Sequence, residues 1–117
     1  HGVCSENYYR EALKLIRHKV VDPQFFVFSD DAEWVKTSFD VADAVFVSDF
    51  GFAAEQDLVL ISKCKHQIIA NSSFSWWGAW LNDNVEKIVI APTPWFDNGQ
   101  FPDNDLVPPS WNKVPKN

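Results

Sequence analysis

The sequence predicts an α/β fold, namely a Rossmann-like parallel sheet of about four strands with helices on both faces. Short, wholly apolar runs alternate with stretches of helical periodicity along the chain. The apolar runs are typical of parallel strands that are buried on both faces, and most of them lead into a polar turn. The chain has 117 residues, of which 46% are hydrophobic, so we expect a single domain with one core.

The predicted elements follow one another along the chain. The first is an amphipathic helix at 5–20, because apolar side chains recur there at helical spacing, Ser5 is a suitable N-cap and Pro23 follows. After Ala91 come six of the seven prolines, so residues 92–117 are predicted to form an extended Pro/Trp-rich tail that wraps the surface. The other predicted elements are strands at 25–28, 44–47, 67–70 and 87–91 and helices at 31–37, 55–64 and 74–82.

Charge and cysteine content exclude several classes of function. Ten Lys plus Arg against 16 Asp plus Glu give a net charge of −6, and no basic run is present. We therefore expect no nucleic-acid partner, because such binding needs clustered positive charge. Cys4 and Cys64 lie far apart without a metal-type Cys/His spacing, so no metal is expected. The chain opens at His1 without Met, a basic leader or a long apolar run, and we expect it to be a piece of a longer protein.

The polar turn at 71–75 is the stronger of two candidate ligand sites. Asn71, Ser72, Ser73, Phe74 and Ser75 stand between a predicted strand and a predicted helix. Ligands of open parallel sheets bind where strands end and helices begin, and the unpaired N–H groups of a helix N-terminus attract anions such as phosphate. The alternative, which is the more common role for such a turn, is that Ser72 or Ser73 caps the helix.

The second candidate site is the turn of Ser29, Asp30 and Asp31 after the Phe-rich strand. A carboxylate at a strand end can accept two N–H groups from a guanine edge or bind ribose hydroxyls. The alternative is that Asp30 or Asp31 caps the next helix. Glu55 and Asp57 open a later helix and allow the same two interpretations, since the helix dipole favours acids there. We expect these segments and the turn at 71–75 to meet at one edge of the sheet.

The helix predicted at 74–82 is apolar on two faces. At helical spacing Phe74, Trp77 and Leu81 share one face, which we expect to be buried on the sheet. Trp76 and Trp80 share another face. A core role is the common one for such aromatic side chains, and sugar stacking is the alternative.

Something should cover the face of Trp76 and Trp80, because soluble monomers rarely expose large apolar patches. If the tail covers it, we expect Trp95 or Trp111 to contact this helix and the chain to be a monomer. If the tail does not, we expect self-association through that face.

Three segments together resemble the C-terminal half of glycosyltransferase family 11, the alpha-1,2-fucosyltransferases, and the resemblance covers nearly the whole chain. The most specific match is the string Asn-Ser-Ser-Phe-Ser-Trp-Trp-Gly-Ala-Trp at 71–80. The matching segments are 25–31 with Trp34; Asp57 and Leu58 with Ser62, Cys64, Lys65 and His66; and 68–81, followed by 87–92 with Trp95 and Phe96.

The resemblance implies a metal-independent, inverting transferase of the GT-B type that moves L-fucose from GDP-fucose to a galactose hydroxyl. The donor nucleotide would lie on this Rossmann-like domain, and no cofactor is implied besides that donor substrate. Ser73, Phe74 and Ser75 would donate to the GDP phosphates, and Asp30 and Asp57 would face the guanine or the ribose. The candidate donor-binding residues are therefore Ser29, Asp30, Asp31, Asp57, Asn71, Ser72, Ser73, Phe74 and Ser75.

One feature of the family is not found in these residues. The family carries a His-x-Arg-Arg-x-Asp type motif just before the position equivalent to His1, and its arginine is thought to neutralise the leaving diphosphate. Arg10 and Arg17 lie on the first helix without that context. We therefore assign no catalytic residue and expect the chain alone to be inactive, because the diphosphate would depart without its main electrostatic help.

The partners expected from the resemblance are the GDP-sugar, a glycan acceptor and the N-terminal half of the parent enzyme. Two other classes of function stay open, namely a non-catalytic module that binds nucleotide or glycan, and a scaffold domain for assembly. A bacterial version would be cytoplasmic, and an animal version would be a Golgi membrane protein with a lumenal domain.

Overall fold

The computed structural model of the chain describes residues 4–38, 41, 44–96 and 106–117. A short 3₁₀ turn, Val47–Phe50, precedes the third helix and ends at Gly51, whose φ of 70° requires the left-handed conformation that glycine adopts readily. The helices are α1 (Glu6–Lys19), α2 (Ala32–Ser38), α3 (Ala54–Lys63) and α4 (Ser73–Trp80), and the strands are β1 (Phe26–Val27), β2 (Val45–Phe46), β3 (Gln67–Ile68), β4 (Val89–Thr93) and β5 (Asn112–Pro115).

The strands form two parallel ladders. One ladder pairs β1 with β2, and the other has the order β3-β4-β5. The predicted class, an α/β fold with parallel strands, is confirmed. The structure differs in detail, since the described residues form five strands in two ladders where about four strands in one sheet were expected. The first three strands pair over only part of the apolar runs that predicted them.

Helices cover both faces of the β3-β4-β5 ladder. On one face, Tyr8, Ala12 and Ile16 of α1 pack with Ile90 and Val114. On the other face, Val89 and Ala91 of β4 form a cluster with Ile69, Ala79, Trp95, Val107 and Trp111. Adjacent residues of β4 thus enter opposite clusters, as the alternation of side chains along a strand requires.

The segment predicted to wrap the surface instead completes this second cluster. Trp95, Val107 and Trp111 are buried, and β5 pairs with β4 from Asn112 opposite Ile90 to Pro115 opposite Thr93. The backbone N–H of Lys116, which follows β5, donates to the carbonyl oxygen of Thr93 at 2.9 Å. In the part that the structure describes, the tail therefore lies partly in the core rather than only on the surface. The reason is that the sheet and α4 leave room for large aromatic side chains, whose burial outweighs the cost of ordering the chain.

The orientation of α4 also differs from the prediction. Phe74, Trp77 and Leu81 were expected on the sheet, but they are 39%, 50% and 53% exposed. Gly78 and Ala79 are buried instead, because Gly78 lies directly against the side chain of Ile61 on α3. Small residues allow α3 and α4 to approach closely. With Gly78 against α3, the side chains of Phe74, Trp77 and Leu81 face outward.

Buried amides join α3, β3 and the end of α4. The Gln67 side-chain amide donates to the carbonyl oxygens of Ile61 at 2.8 Å and Cys64 at 3.0 Å, and it accepts from the Asn82 amide at 3.0 Å. Lys87 Nζ donates to the carbonyl oxygens of Ala79 and Asn82, both at 2.9 Å, at the C-terminus of α4.

Among the described helices, none has the length and apolar character that a membrane span needs.

Candidate functional site

The N-terminus of α4 follows β3 through a turn of hydroxyl side chains. Ser72 is the N-cap, and its Oγ accepts from the backbone N–H of Ser75 at 3.1 Å. The Ser72 hydroxyl in turn donates to Ser75 Oγ at 2.9 Å. For Ser72 the capping interpretation therefore holds, whereas the proton of the Ser75 hydroxyl stays available for another acceptor.

The first two residues of α4, Ser73 and Phe74, are both exposed. Within the described residues, their backbone N–H groups have no hydrogen-bond partner. This is the usual state at a helix N-terminus, where the first N–H groups lack an intrahelical acceptor. The turn therefore offers two N–H groups and one hydroxyl to an anion, without any cationic side chain at 71–75.

Asn71 is buried and serves the structure of this turn. Its Nδ2 donates to the carbonyl oxygen of Trp95 at 3.2 Å, and its Oδ1 accepts from the Cys4 thiol at 3.7 Å. Burial raises the pKa of the Cys4 thiol, so it remains a donor at neutral pH. Asn71 thus joins the turn to α1 and to the tail.

The turn after β1 is organised by its own side chains. The Ser29 backbone N–H donates to Ser48 Oγ at 2.8 Å, and Ser29 Oγ accepts from the backbone N–H of Asp31 at 3.0 Å. Asp31 Oδ1 accepts from the backbone N–H of Trp34 at 3.1 Å, which makes Asp31 the cap of α2. Asp30 is exposed, and its carboxylate is the acid of this turn that the cap does not use.

Asp57 lies in the first turns of α3 and is half-buried. Its Oδ1 has essentially no solvent contact and, within the described part of the chain, no hydrogen-bond partner. A buried carboxylate oxygen without a donor is unfavourable, because the desolvation of the charge is not offset. Asp57 Oδ1 is thus an unpaired acceptor, which a ligand N–H or O–H could reach only if the side chain turned toward solvent.

Two of the predicted site residues line one cavity of about 610 Å³ between β1 and β3. Ser29 enters it from the end of β1, and Ser75 enters it from the first turn of α4. The remaining predicted residues do not line this cavity: Asp30, Asp31, Asp57, Asn71, Ser72, Ser73 and Phe74. Ser29 and Ser75 thus share one cavity, and the convergence of the three turns on a single ligand stays a prediction.

Sequence reasoning missed three residues at this edge. Tyr9 and Trp34 both line the cavity, and their rings form an edge-on pair with centroids 6.0 Å apart. Ser48 holds the backbone of Ser29. A signal for Ser48 exists in the sequence, since it follows a predicted strand and so belongs to the same edge as Ser29.

The tail covers one tryptophan of α4. Trp76 Nε1 donates to the carbonyl oxygen of Leu106 at 2.8 Å, and the rings of Trp76 and Trp111 lie 6.0 Å apart. Trp80 stacks on Trp76 with centroids 5.2 Å apart but remains 52% exposed. A monomer is expected if Trp95 or Trp111 contacts this helix, and Trp111 does so. The oligomeric state itself stays a prediction.

Comparisons with known proteins identify relatives of the chain. The family model described as Glycosyl transferase family 11 matches residues 1–115. The chain is 42% identical to an alpha-1,2-colitosyltransferase of Escherichia coli, over 99% of this chain and 41% of that protein. It is also 42% identical to the O-antigen biosynthesis glycosyltransferase WbnK of Escherichia coli, over 82% of this chain and 32% of the relative.

A third relative comes from an animal. The galactoside alpha-(1,2)-fucosyltransferase 1 of Leontocebus fuscicollis is 33% identical over 90% of this chain and 28% of its own length. No solved structure matches the chain. The chain thus spans about two fifths or less of the length of these relatives. Because the family model covers nearly every residue, the chain belongs to glycosyl transferase family 11.

Proposed function

We propose that this chain is the donor-binding part of an alpha-1,2-glycosyltransferase that binds a GDP-deoxy sugar, GDP-fucose in the first place, and transfers the sugar to a galactose hydroxyl of a glycan. The observation that carries the proposal is the family match over 1–115, together with the serine-rich turn at 72–75, whose Ser75 lines the same cavity as Ser29. The names of the relatives mention fucose and colitose, so the donor sugar is the finer point to test.

The phosphate half of the donor fits the N-terminus of α4. The N–H groups of Ser73 and Phe74 and the hydroxyl of Ser75 are donors, and the helix dipole favours negative charge there. These donors would bind the phosphates of the intact donor substrate as well as those of the leaving GDP. We therefore assign them a role in binding and none in stabilising the transition state.

The nucleoside half fits the carboxylates. Asp30 is exposed, so its carboxylate can accept from the guanine N–H edge or from ribose hydroxyls. Asp57, whose Oδ1 is buried without a donor, can accept in the same way once its side chain turns toward the ligand. In a parallel α/β sheet the helices run back from the same edge, and Ile61 of α3 contacts Gly78 of α4. Asp57 lies four residues, about one helical turn, before Ile61, and Phe74 lies four residues before Gly78. Asp57 and Phe74 therefore lie at the same height along the two helices.

The binding should be weak in this chain. The turns at 29–31, 55–57 and 72–75 contain several acids and no Lys or Arg, so a diphosphate meets no opposite charge. We expect a dissociation constant near 1 mM, on the order of −4 kcal/mol.

The experiment is a titration of the 117-residue chain with GDP, GDP-fucose and ADP, followed by amide chemical shifts. GDP and GDP-fucose should shift the amides of Ser73, Phe74 and Ser75, and ADP should bind less because it lacks the guanine edge. Ser75→Ala should weaken GDP by about tenfold, the effect of losing a hydrogen bond to a charged group.

The matched control is Ser62→Ala. Its hydroxyl donates within α3 to the carbonyl oxygen of Val59 at 2.7 Å, so GDP affinity should not change. Shifts confined to other surfaces, or equal affinity of the Ser75 variant and the wild type, would refute the proposed site.

A further inference from the structure

We propose that the cavity between β1 and β3 is the position of one further parallel β-strand, carried by the polypeptide that precedes α1 in the full-length protein. The inference concerns the sheet and does not depend on which nucleotide the chain binds. The added strand would join the two ladders, β2-β1 and β3-β4-β5, into one sheet.

The first observation is that two strand edges face the same cavity. β1 pairs with β2 on one side, and β3 pairs with β4 on one side. Residues Phe25 to Ser29 line the cavity from the β1 side, and Gln67 to Ala70 line it from the β3 side. Neither edge is paired within the described residues, and an unpaired edge is a template for another strand.

The directions of the N–H and C=O groups of β1 and β3 also favour an added strand in the cavity. The Phe25 carbonyl oxygen accepts from Val45, and the N–H groups of Gln67 and Ile69 donate to Ile88 and Ile90. Because alternate residues of a parallel strand point their N–H and C=O groups to opposite sides, the groups of the intervening residues point to the cavity. The intervening residues are Phe26 and Phe28 in β1 and its extension, and Ile68 and Ala70 in β3 and its extension.

The size and lining of the cavity fit a short apolar strand. A residue in a packed sheet occupies roughly 160 Å³, so about 610 Å³ accommodates about four residues. Leu13 and Ile16 of α1 line the cavity, as do Val35, Val41 and Ile61. A strand in the cavity would be surrounded by apolar side chains, so we expect an apolar run like the other buried strands of this chain.

The strand order points to the segment before α1. With the added strand X, the sheet has the order β2-β1-X-β3-β4-β5. If X comes first in the chain, this is the strand order 3-2-1-4-5-6 of doubly wound dinucleotide-binding sheets. The chain would then run outward from X through α1 to β1 and β2, and return through α3 to β3 on the other side of X.

The start of α1 lies where such a strand would end. The Ser5 backbone N–H donates to the carbonyl oxygen of Lys116, which follows β5, at 2.9 Å. The Cys4 thiol donates to Asn71, which follows β3. Both contacts are at the carboxyl edge of the ladder, and a parallel strand that leads into α1 must end at that edge. The relatives supply the length, since the chain spans 41% or less of them.

The added strand would also extend the ligand site. The carboxyl end of X would emerge between Ser29 and Ser75, which line the two sides of the cavity. The side chains that follow X would therefore join the site that these residues form. Ligands of doubly wound sheets bind at this change of strand order, between X and β3.

The test is residue-resolved amide hydrogen exchange in the 117-residue chain and in the full-length protein. In the short chain, the amides of Phe26, Phe28, Ile68 and Ala70 should exchange faster than those of Val27, Gln67 and Ile69, which are paired in the ladders. In the full-length protein, the first four should slow by at least roughly tenfold, because they gain a strand partner, while the ladder amides change less.

Three outcomes would overturn the proposal. The first is equal exchange of the four amides in both proteins. The second is slow exchange of all four in the short chain, which would mean that the gap is closed without another strand. The third is protection in the short chain that rises with its concentration, which would assign the gap to a second copy.

A pair of variants of the full-length protein provides a second readout. Leu13→Asp places a charge on the cavity wall and should speed exchange at Ile68 and Ala70 while leaving Ile90 protected. Val85→Asp, at a position that is 98% exposed and away from the cavity, should leave all of these amides unchanged. Equal effects of the two variants would contradict the strand.

Discussion

The hydroxyl of Tyr8 donates to the backbone carbonyl oxygen of Ile69 at a distance of 2.5 Å, and it takes the place of a hydrogen bond that the sheet cannot make. The Ile69 N–H donates to Ile90, so the next bond of the parallel ladder would run from the N–H of residue 92 to the Ile69 carbonyl. Residue 92 is a proline and has no N–H. Tyr8, which is fully buried, thus satisfies an acceptor inside the core.

Tyr8→Phe should destabilise the chain by about 1–3 kcal/mol, because it leaves the Ile69 carbonyl buried without a donor. The measurement is urea unfolding followed by tryptophan fluorescence. Pro92→Ala supplies the missing N–H, so the Tyr8→Phe change should cost less in the Pro92→Ala background. An equal cost in both backgrounds would show that Tyr8 does not replace the ladder bond.

Gly78→Ala should destabilise the contact of α3 and α4 by about 1–3 kcal/mol, because the new Cβ would overlap Ile61 Cγ2. Ile61→Ala removes that methyl group. The double variant should therefore lose less stability than the sum of the two single variants. Strict additivity of the unfolding free energies would contradict the contact.

His66 should make the stability of the chain depend on pH below neutrality. Burial, with a smaller contribution from the charge of Lys65, lowers the pKa of His66 from its usual 6.5. Its Nδ1 accepts from the Ile88 N–H at 2.9 Å, which requires an unprotonated Nδ1. Well above pH 6.5 the side chain is neutral in both states, so this stabilisation is fully present. As the pH falls below 6.5, the unfolded chain takes up the proton first, and stability is lost down to the folded pKa.

The measurement compares urea midpoints between about pH 7.5 and pH 5.5, a window around the unperturbed histidine pKa. His66→Gln should reduce the pH dependence in this window. His18→Gln, at an exposed position on α1, is the control and should keep it. A wild-type midpoint that does not change over the window would contradict the role of His66.

Removal of metal ions should change neither folding nor nucleotide binding. No group of three or more His, Cys, Asp and Glu side chains with a metal-binding arrangement occurs in the described residues. Asp30 and Asp31 alone would leave most of the coordination shell of Mg²⁺ to water and phosphate. The measurement is the thermal midpoint and the GDP titration with and without excess EDTA, and a titration that collapses in EDTA would refute this expectation.

Local patterns were sufficient for the four described helices and the first four strands. The N-caps Ser5 and Ser72 accept from the backbone N–H three residues later, as their positions before apolar periodic segments predict. All four helices and the first four strands lie within about two residues of the predicted bounds, the usual scatter of helix and strand ends. The sequence also locates the two candidate site turns, because their polar residues come directly after predicted strands.

The sequence by itself thus determined the parallel α/β class, the order of its first eight elements and the serine-rich turn before α4. Only the tertiary structure decided which face of α4 is buried, that Asn112–Pro115 is a strand, and that Tyr8 serves Ile69. Hydrophobic periodicity identifies the apolar faces of an element but not the neighbour that covers each one. On α4 that choice rests on the close approach of Gly78 to Ile61, a contact between residues far apart in the chain.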